Sequence, residues 1–192
     1  MRMIRFATLA LAVVVAPAAA LAPVEPDLPP PLSALAAPPP LVVDRPLGQA
    51  ILAFILRVNP DVTRVRAAAL TRTIVEASEA RGLDPLLLTG IIAQESRFHA
   101  DVLSCRGRGC DMGVAQVNWE TWGVELRLDR QRLIHDDAYN VGVAADILVD
   151  LHRRFGDEAG SWWTRYHDRR PERRAQYAAL VRAHAPVLLG SL

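Results

Sequence analysis

Glu95 is the side chain best placed to do chemistry. The helix-patterned segment from Pro85 sends Leu87, Leu88, Ile91 and Ile92 towards a core and ends at Glu95, four residues after Ile91. A carboxyl group there sits where a core meets an irregular, cleft-lining loop. Partial desolvation and the negative end of the helix dipole both favour the neutral acid, the form that a general acid needs. The competing reading is an exposed glutamate at a helix end. Asp111 and Asp168 bear on the type of reaction. A carboxylate about 5 Å from Glu95 would serve as a nucleophile and a more distant one would activate water, whereas aspartates on surface loops would do neither.

Cys105 and Cys110 enclose Arg106, Gly107, Arg108 and Gly109, a short loop that a disulfide would close in an oxidising compartment. So small a loop gains roughly 2 kcal/mol in the chain-entropy account. The alternative is a metal held by both thiolates with His99, Asp111 or His167, but no C-x-x-C pattern repeats, so the expectation is a disulfide and no metal. No cofactor is expected. Trp119, Trp122, Trp162, Trp163 and Tyr177 would stack on sugars or fill the core, with Trp119 the best placed for a groove.

The elements that must position these residues are helical. Residues 47–58 are apolar at Leu47, Ile51, Phe54, Ile55 and Val58, and the run from Ala50 to Leu56 is apolar on every side, as in a buried helix. Asn59 and Pro60 read as a cap and first helical position, with Gly82 as the stop. Asp84 and Pro85 repeat that start signal. A glycine- and cysteine-rich loop spans 99–113, and 114–118 reads as strand or turn. A helix from Asp137 to Arg154 places Val141, Ala145, Leu148 and Leu151 on one face, and segments at 161–167 and 173–184 close the domain. The fold class is mainly α with at most a small β ribbon.

Composition frames the rest. Of 192 residues, 22 are basic, all of them arginine, and 21 acidic, giving a net charge of +1. That balance argues against an electrostatic nucleic-acid binder. Arg2 and Arg5 precede an uncharged run that ends in Ala18, Ala19, Ala20, Leu21 and Ala22, the layout of an export signal over 1–22. The rival is a retained membrane anchor, opposed by Pro17 and the weakly apolar second half of the run. Residues 23–46 hold nine of the 14 prolines and read as an extended spacer, leaving 47–192 as the folded domain.

Four motifs then fall in order: Glu95, Ser96, Arg97, Phe98; Gly113 to Asn118 with Gln116; Tyr139, Asn140; and Tyr166, His167, Asp168. In that order the sequence resembles the catalytic domain of the soluble lytic transglycosylases, over about residues 62–184. The resemblance implies a lysozyme-like fold and cleavage of peptidoglycan between N-acetylmuramic acid and N-acetylglucosamine. It puts the family's catalytic glutamate at Glu95, which would protonate the leaving oxygen and then take a proton from the muramyl 6-hydroxyl, giving a 1,6-anhydro sugar. It also implies substrate contacts from Ser96, Gln116, Asn118, Asn140 and Tyr166, with the Tyr166 hydroxyl near Glu95. Ser96 and Asn140 have structural caps as their alternative roles.

The sequence departs from the family pattern at two places. Val114 and Ala115 stand where leucine and methionine are usual, removing volume from the groove wall, and His167 and Asp168 replace an asparagine and an alanine. A tyrosine-histidine pair, with the D-x-G-x-x-Q-x-N run from Asp111, looks like the specialised transglycosylases of conjugation, pilus and type III secretion machines. The expectation is therefore an exported, periplasmic, monomeric enzyme acting on glycan strands, held near such a complex. The alternatives are a lysozyme-type hydrolase and a catalytically idle glycan-binding scaffold.

Overall fold

A computed structural model of the chain describes residues 45–107, 109–156 and 161–189, with side chains up to residue 184. The segment read as an export signal, and the spacer up to residue 44, lie outside the described residues. Among the described residues no helix is long and apolar enough to cross a membrane.

Among the described residues six helices and a small sheet follow one another in the order α1 (Pro46–Val58), α2 (Arg64–Glu79), α3 (Pro85–Ser96), β1 (Leu103–Arg106), β2 (Gly109–Met112), β3 (Val117–Asn118), α4 (Arg130–His135), α5 (Asp137–Phe155) and α6 (Pro171–Leu189). A π-helical turn at Trp119–Gly123 and a 3-10 turn at Trp162–Tyr166 complete the set. The class is mainly α, as the sequence indicates.

Local chemistry explains most of the boundaries. Pro46, placed in the spacer by its neighbours, is the first residue of α1, where its missing N–H costs nothing. α1 buries one face, with Ile51, Phe54 and Ile55 inside and Ala53 exposed, so it is not enclosed all round. The second helix does not begin at Pro60. Asn59 instead ends α1, its Oδ1 accepting the Asp61 N–H at 3.1 Å, and Thr63 caps α2 by accepting from the Arg66 N–H. Gly82 does stop the region, at φ +65°. Asp84 caps α3 through the Leu86 N–H at 2.8 Å, with Pro85 next.

α3 is the central element. Leu88, Ile91 and Ile92 are fully buried, and Gly90 lets α6 approach so closely that a methyl group there would lie 3.2 Å from Val181 Cγ1. α1 and α2 cover it on other sides, while α5 packs on α2 and the 3-10 turn. The glycine-rich loop folds as an antiparallel sheet of order β1-β2-β3, in which Cys105 faces Cys110 and Asp111 faces Asn118. The two cysteines form a disulfide across that hairpin, which removes both thiolates as metal ligands.

Candidate active site

Glu95 lies in the last turn of α3, its side chain 12% exposed. The chain reverses sharply after it. Arg97 and Phe98 both take left-handed conformations, φ 53° and 60°, which cost non-glycine residues about 1 kcal/mol or more each. The reversal is held by burial of Phe98, which packs edge-on against Phe54 at 6.0 Å, and by Arg66, whose guanidinium donates to the Phe98 carbonyl at 2.6 Å while pairing with Asp137. Sequence patterns on three separate helices thus converge on aiming one carboxyl group.

That group opens into a cleft of about 560 Å³, within the size range of small-ligand sites. Gln116, Trp122, Leu151 and Tyr166 line it with Glu95; Asp111, Asn118 and Thr121 form the rim on the sheet side. Arg154 and Phe155 of α5 and Arg165, His167, Asp168 and Arg169 also line it.

Glu95 Oε1 accepts a hydrogen bond from the Tyr177 hydroxyl at 2.6 Å. His167 Nδ1 stands 3.7 Å from the same oxygen, and the His167 ring lies flat on the Tyr177 ring, centroids 4.5 Å apart and planes 2° apart. Burial, and then the Glu95 charge, push the Tyr177 phenol well above its usual range, so it stays a donor. The Glu95 carboxyl 3.7 Å away raises the His167 imidazole above its ordinary value, with burial opposing it.

Several residues expected to touch substrate have their polar groups engaged within the protein. The Tyr166 hydroxyl is not on Glu95 but donates to the Ala115 carbonyl at 2.9 Å, and burial first, then the charges of Glu95 and Asp111, raise its phenol well above the usual range. Asn140 is fully buried. Its Nδ2 donates to the carbonyls of Met112 and Leu133 at 2.8 and 2.9 Å and its Oδ1 accepts from the Ala115 N–H at 2.7 Å, which uses the whole amide and leaves nothing for a sugar. Gly113 is required beside it: at φ +73°, a β-carbon would collide with the Leu133 carbonyl and the Asn140 amide. Ser96 is buried, its hydroxyl turned back to the Ile92 carbonyl at 3.5 Å.

Gln116 and Asn118 do reach the cleft. Gln116 spends both Nε2 hydrogens on the Val102 and Gly113 carbonyls, at 3.1 and 2.9 Å, so it has its oxygen to offer rather than a donor and an acceptor. Asn118 donates to Asp111 Oδ1 at 2.8 Å and caps the π-helical turn through the Thr121 N–H. Asp168 is clamped by Arg170, which holds its carboxylate far below the ordinary range. Trp119 lies outside the cleft, half-buried, with the Arg130 guanidinium 5.8 Å from its ring centroid; Trp122 takes the place expected of it. Val114 and Ala115 are fully buried and do not form the groove wall.

Tyr177 is the neighbour of Glu95 that sequence reasoning missed. It is 82 residues from Glu95, and the only signal for it is the apolar spacing Tyr177, Ala178, Val181 that turns this face of α6 towards α3.

A family model described as the transglycosylase SLT domain matches residues 72–170. The chain belongs to that family. The matched span runs from within α2 to just before α6, and so includes every residue of the cleft while leaving Tyr177 outside it. Membership of the SLT family supports transglycosylase-type cleavage of glycan, with peptidoglycan as the substrate. A search of curated proteins found no match to the sequence.

Proposed function

We propose that this chain is an exported peptidoglycan lytic transglycosylase in which Glu95 is both acid and base and the product ends in 1,6-anhydro-N-acetylmuramic acid. The observation that carries the reading is a nearly buried glutamate opening into a cleft and held through one oxygen by Tyr177. Because Oε1 accepts the phenolic hydrogen, the acidic proton belongs on Oε2. From there it passes to the glycosidic oxygen as the bond to the anomeric carbon breaks, and Oε2 then takes the proton of the muramyl 6-hydroxyl as that oxygen closes the anhydro ring. No water is consumed and Glu95 ends protonated, as it began. Gln116 and Asn118 are the groups proposed to hold the sugars.

Residues 1–22 are read as the export signal and 23–46 as a spacer, consistent with a disulfide that needs an oxidising compartment. The tyrosine-histidine pair and the Asp111 run favour the specialised subgroup that serves secretion or conjugation complexes. Asp111 favours a second outcome, since its carboxylate lines the same cleft and would make the enzyme a hydrolase if it supported water attack.

Mass spectrometry of muropeptides released from purified peptidoglycan separates these readings. Anhydro products that disappear with Glu95→Gln are the expected result. Products heavier by one water that depend on Asp111 would replace transglycosylation by hydrolysis, and no release from the unaltered protein would leave a glycan-binding scaffold.

A further inference from the structure

His167 borders two spaces. It lines the cleft with Glu95, and it also lines a separate hollow of about 160 Å³ with Gln94, Arg173, Gln176, Tyr177 and Leu180. Gln94 directly precedes Glu95 on α3, and the other four belong to α6, which begins after the matched family span ends at residue 170. The hollow has less than a third of the volume of the cleft. It suits a group that branches from a glycan better than a further sugar ring.

Its charge differs from that of the cleft. Glu95, Asp111 and Asp168 line the cleft, whereas among the described residues no carboxylate lines the hollow and Arg173 does. Residues 165–174 hold five arginines against Asp168 and Glu172, in a chain whose net charge is +1. Several of those cations are engaged within the protein. Arg165 lies 3.9 Å from the Phe155 ring centroid, Arg174 donates to Thr164 Oγ1 at 3.0 Å, and Arg170 clamps Asp168 at 2.7 Å. Arg173 reaches Asp168 only at 3.9 Å, beyond hydrogen-bond range, and its side chain is 56% exposed. With Asp168 already satisfied by Arg170, the Arg173 fork has its donors to offer. Among the described residues the side-chain amides of Gln94 and Gln176 beside it have no protein partner either.

We propose that this hollow binds a carboxylate of the peptide that branches from the reacting muramyl unit, with Arg173 as its cation, so that the enzyme selects peptide-bearing over bare glycan strands. The assignment rests on Glu95 being the acid that cleaves beside N-acetylmuramic acid. That sugar carries a lactyl ether whose acyl group bears a short peptide with free carboxylates, and N-acetylglucosamine carries none. The anomeric carbon and the 6-hydroxyl of the muramyl unit must both reach Glu95, so its peptide leaves the cleft close to that residue. His167 stands 3.7 Å from Glu95 Oε1 and forms the border that the peptide crosses. Beyond it a guanidinium matches a carboxylate with two parallel N–H donors, and the two glutamine amides match the N–H and C=O groups of the peptide backbone.

The test compares kcat/KM of the full-length chain on two preparations of the same glycan, one with intact peptides and one stripped of them by an amidase. The unaltered enzyme is expected to favour peptide-bearing strands by about fivefold, the upper range for a partly exposed ion pair, and Arg173→Gln to bring that ratio close to one. Equal proportional losses on both substrates, or an unaltered enzyme indifferent to the peptide, would overturn the proposal. Arg169→Gln removes a cation that lines the cleft and not the hollow; an equal collapse of the ratio there would show a diffuse field and overturn the assignment to the hollow. NMR of the Arg173 Nε–H group, assigned by its loss in the variant, gives a readout that does not depend on turnover. N-acetylmuramyl tripeptide with free carboxylates should shift that signal and its fully amidated form should not, whereas no shift with either would overturn the proposal. If the unaltered protein cleaves neither substrate, the functional reading fails, and the NMR shift still decides whether the hollow takes a carboxylate.

Discussion

The hydroxyl of Tyr177 gives the sharpest test of how the proposed acid is held. Tyr177→Phe removes one oxygen and keeps the ring, and with it the stack on His167 and the tilted contact with Trp163 at 6.0 Å. What is lost is a 2.6 Å hydrogen bond to Glu95. Hydrogen bonds to charged groups contribute about 1.5–3 kcal/mol. In the proposed mechanism Glu95 becomes a carboxylate as it gives up its proton, so that contribution is greatest in the transition state, which corresponds to a fall of about 10- to 150-fold in kcat. KM should change little, because the hydroxyl points at Glu95 and not into the part of the cleft that Gln116 and Asn118 line. The assay is the initial rate of muropeptide release from saturating peptidoglycan, with thermal melting by circular dichroism to establish that the variant is folded. A folded Tyr177→Phe protein with kcat within twofold of wild type would refute the reasoning. Tyr166→Phe makes the contrast: it strips a buried carbonyl, that of Ala115, of its partner, and the expected signature is a loss of about 1–3 kcal/mol of stability.

Three further outcomes follow from the same geometry. Asn140→Ala leaves two buried carbonyls and one buried N–H unpaired, so urea unfolding should show a loss of about 3–5 kcal/mol. Reducing the Cys105–Cys110 disulfide should cost roughly 2 kcal/mol while leaving far-UV helical ellipticity in place below the transition, as checked by melting with and without dithiothreitol. The His167 imidazole is raised in the folded state chiefly by the Glu95 carboxyl beside it, so the stability it lends is complete below its unfolded value of about 6.5 and disappears as pH rises through the folded value. The difference in melting temperature between wild type and His167→Asn should accordingly shrink between pH 5.5 and 8.

Much of the helical frame is legible in the chain because its signals are local. Asp84 with Pro85 is a local start signal that α3 obeys, Gly82 stops α2, and Glu95 at the end of an apolar run is marked by its immediate neighbours. The second helix start was misplaced for a local reason too. Asn59 and Pro60 have the composition of a cap, but the asparagine folds its side chain onto Asp61 to end the previous helix. A small ribbon is legible, but where its strands lie is not, because they are only four, four and two residues long and are fixed by a disulfide and the Asp111–Asn118 pair instead of by alternation. α4, six residues capped by Asp129, is too short to show a period. The candidate site is harder to read than the frame, because its assembly is long-range. Nothing near Tyr166 tells that its hydroxyl is committed to Ala115, and nothing near Tyr177 tells that it faces Glu95 across 82 positions. Motif order picks out the residues of this region without showing which line the cleft and which, like Asn140, tie its parts together.

The three bonds of Asn140 have a consequence for how a glycan enters. One amide fastens the end of the hairpin, the turn that carries Gln116 and the last stretch of α4 to the first turn of α5. That side of the cleft is therefore a fixed jaw. A strand that binds there spends little free energy on ordering that wall. Loop closure does not have to precede the chemistry on the fixed side. An inhibitor shaped to that wall would meet a surface already in its final form.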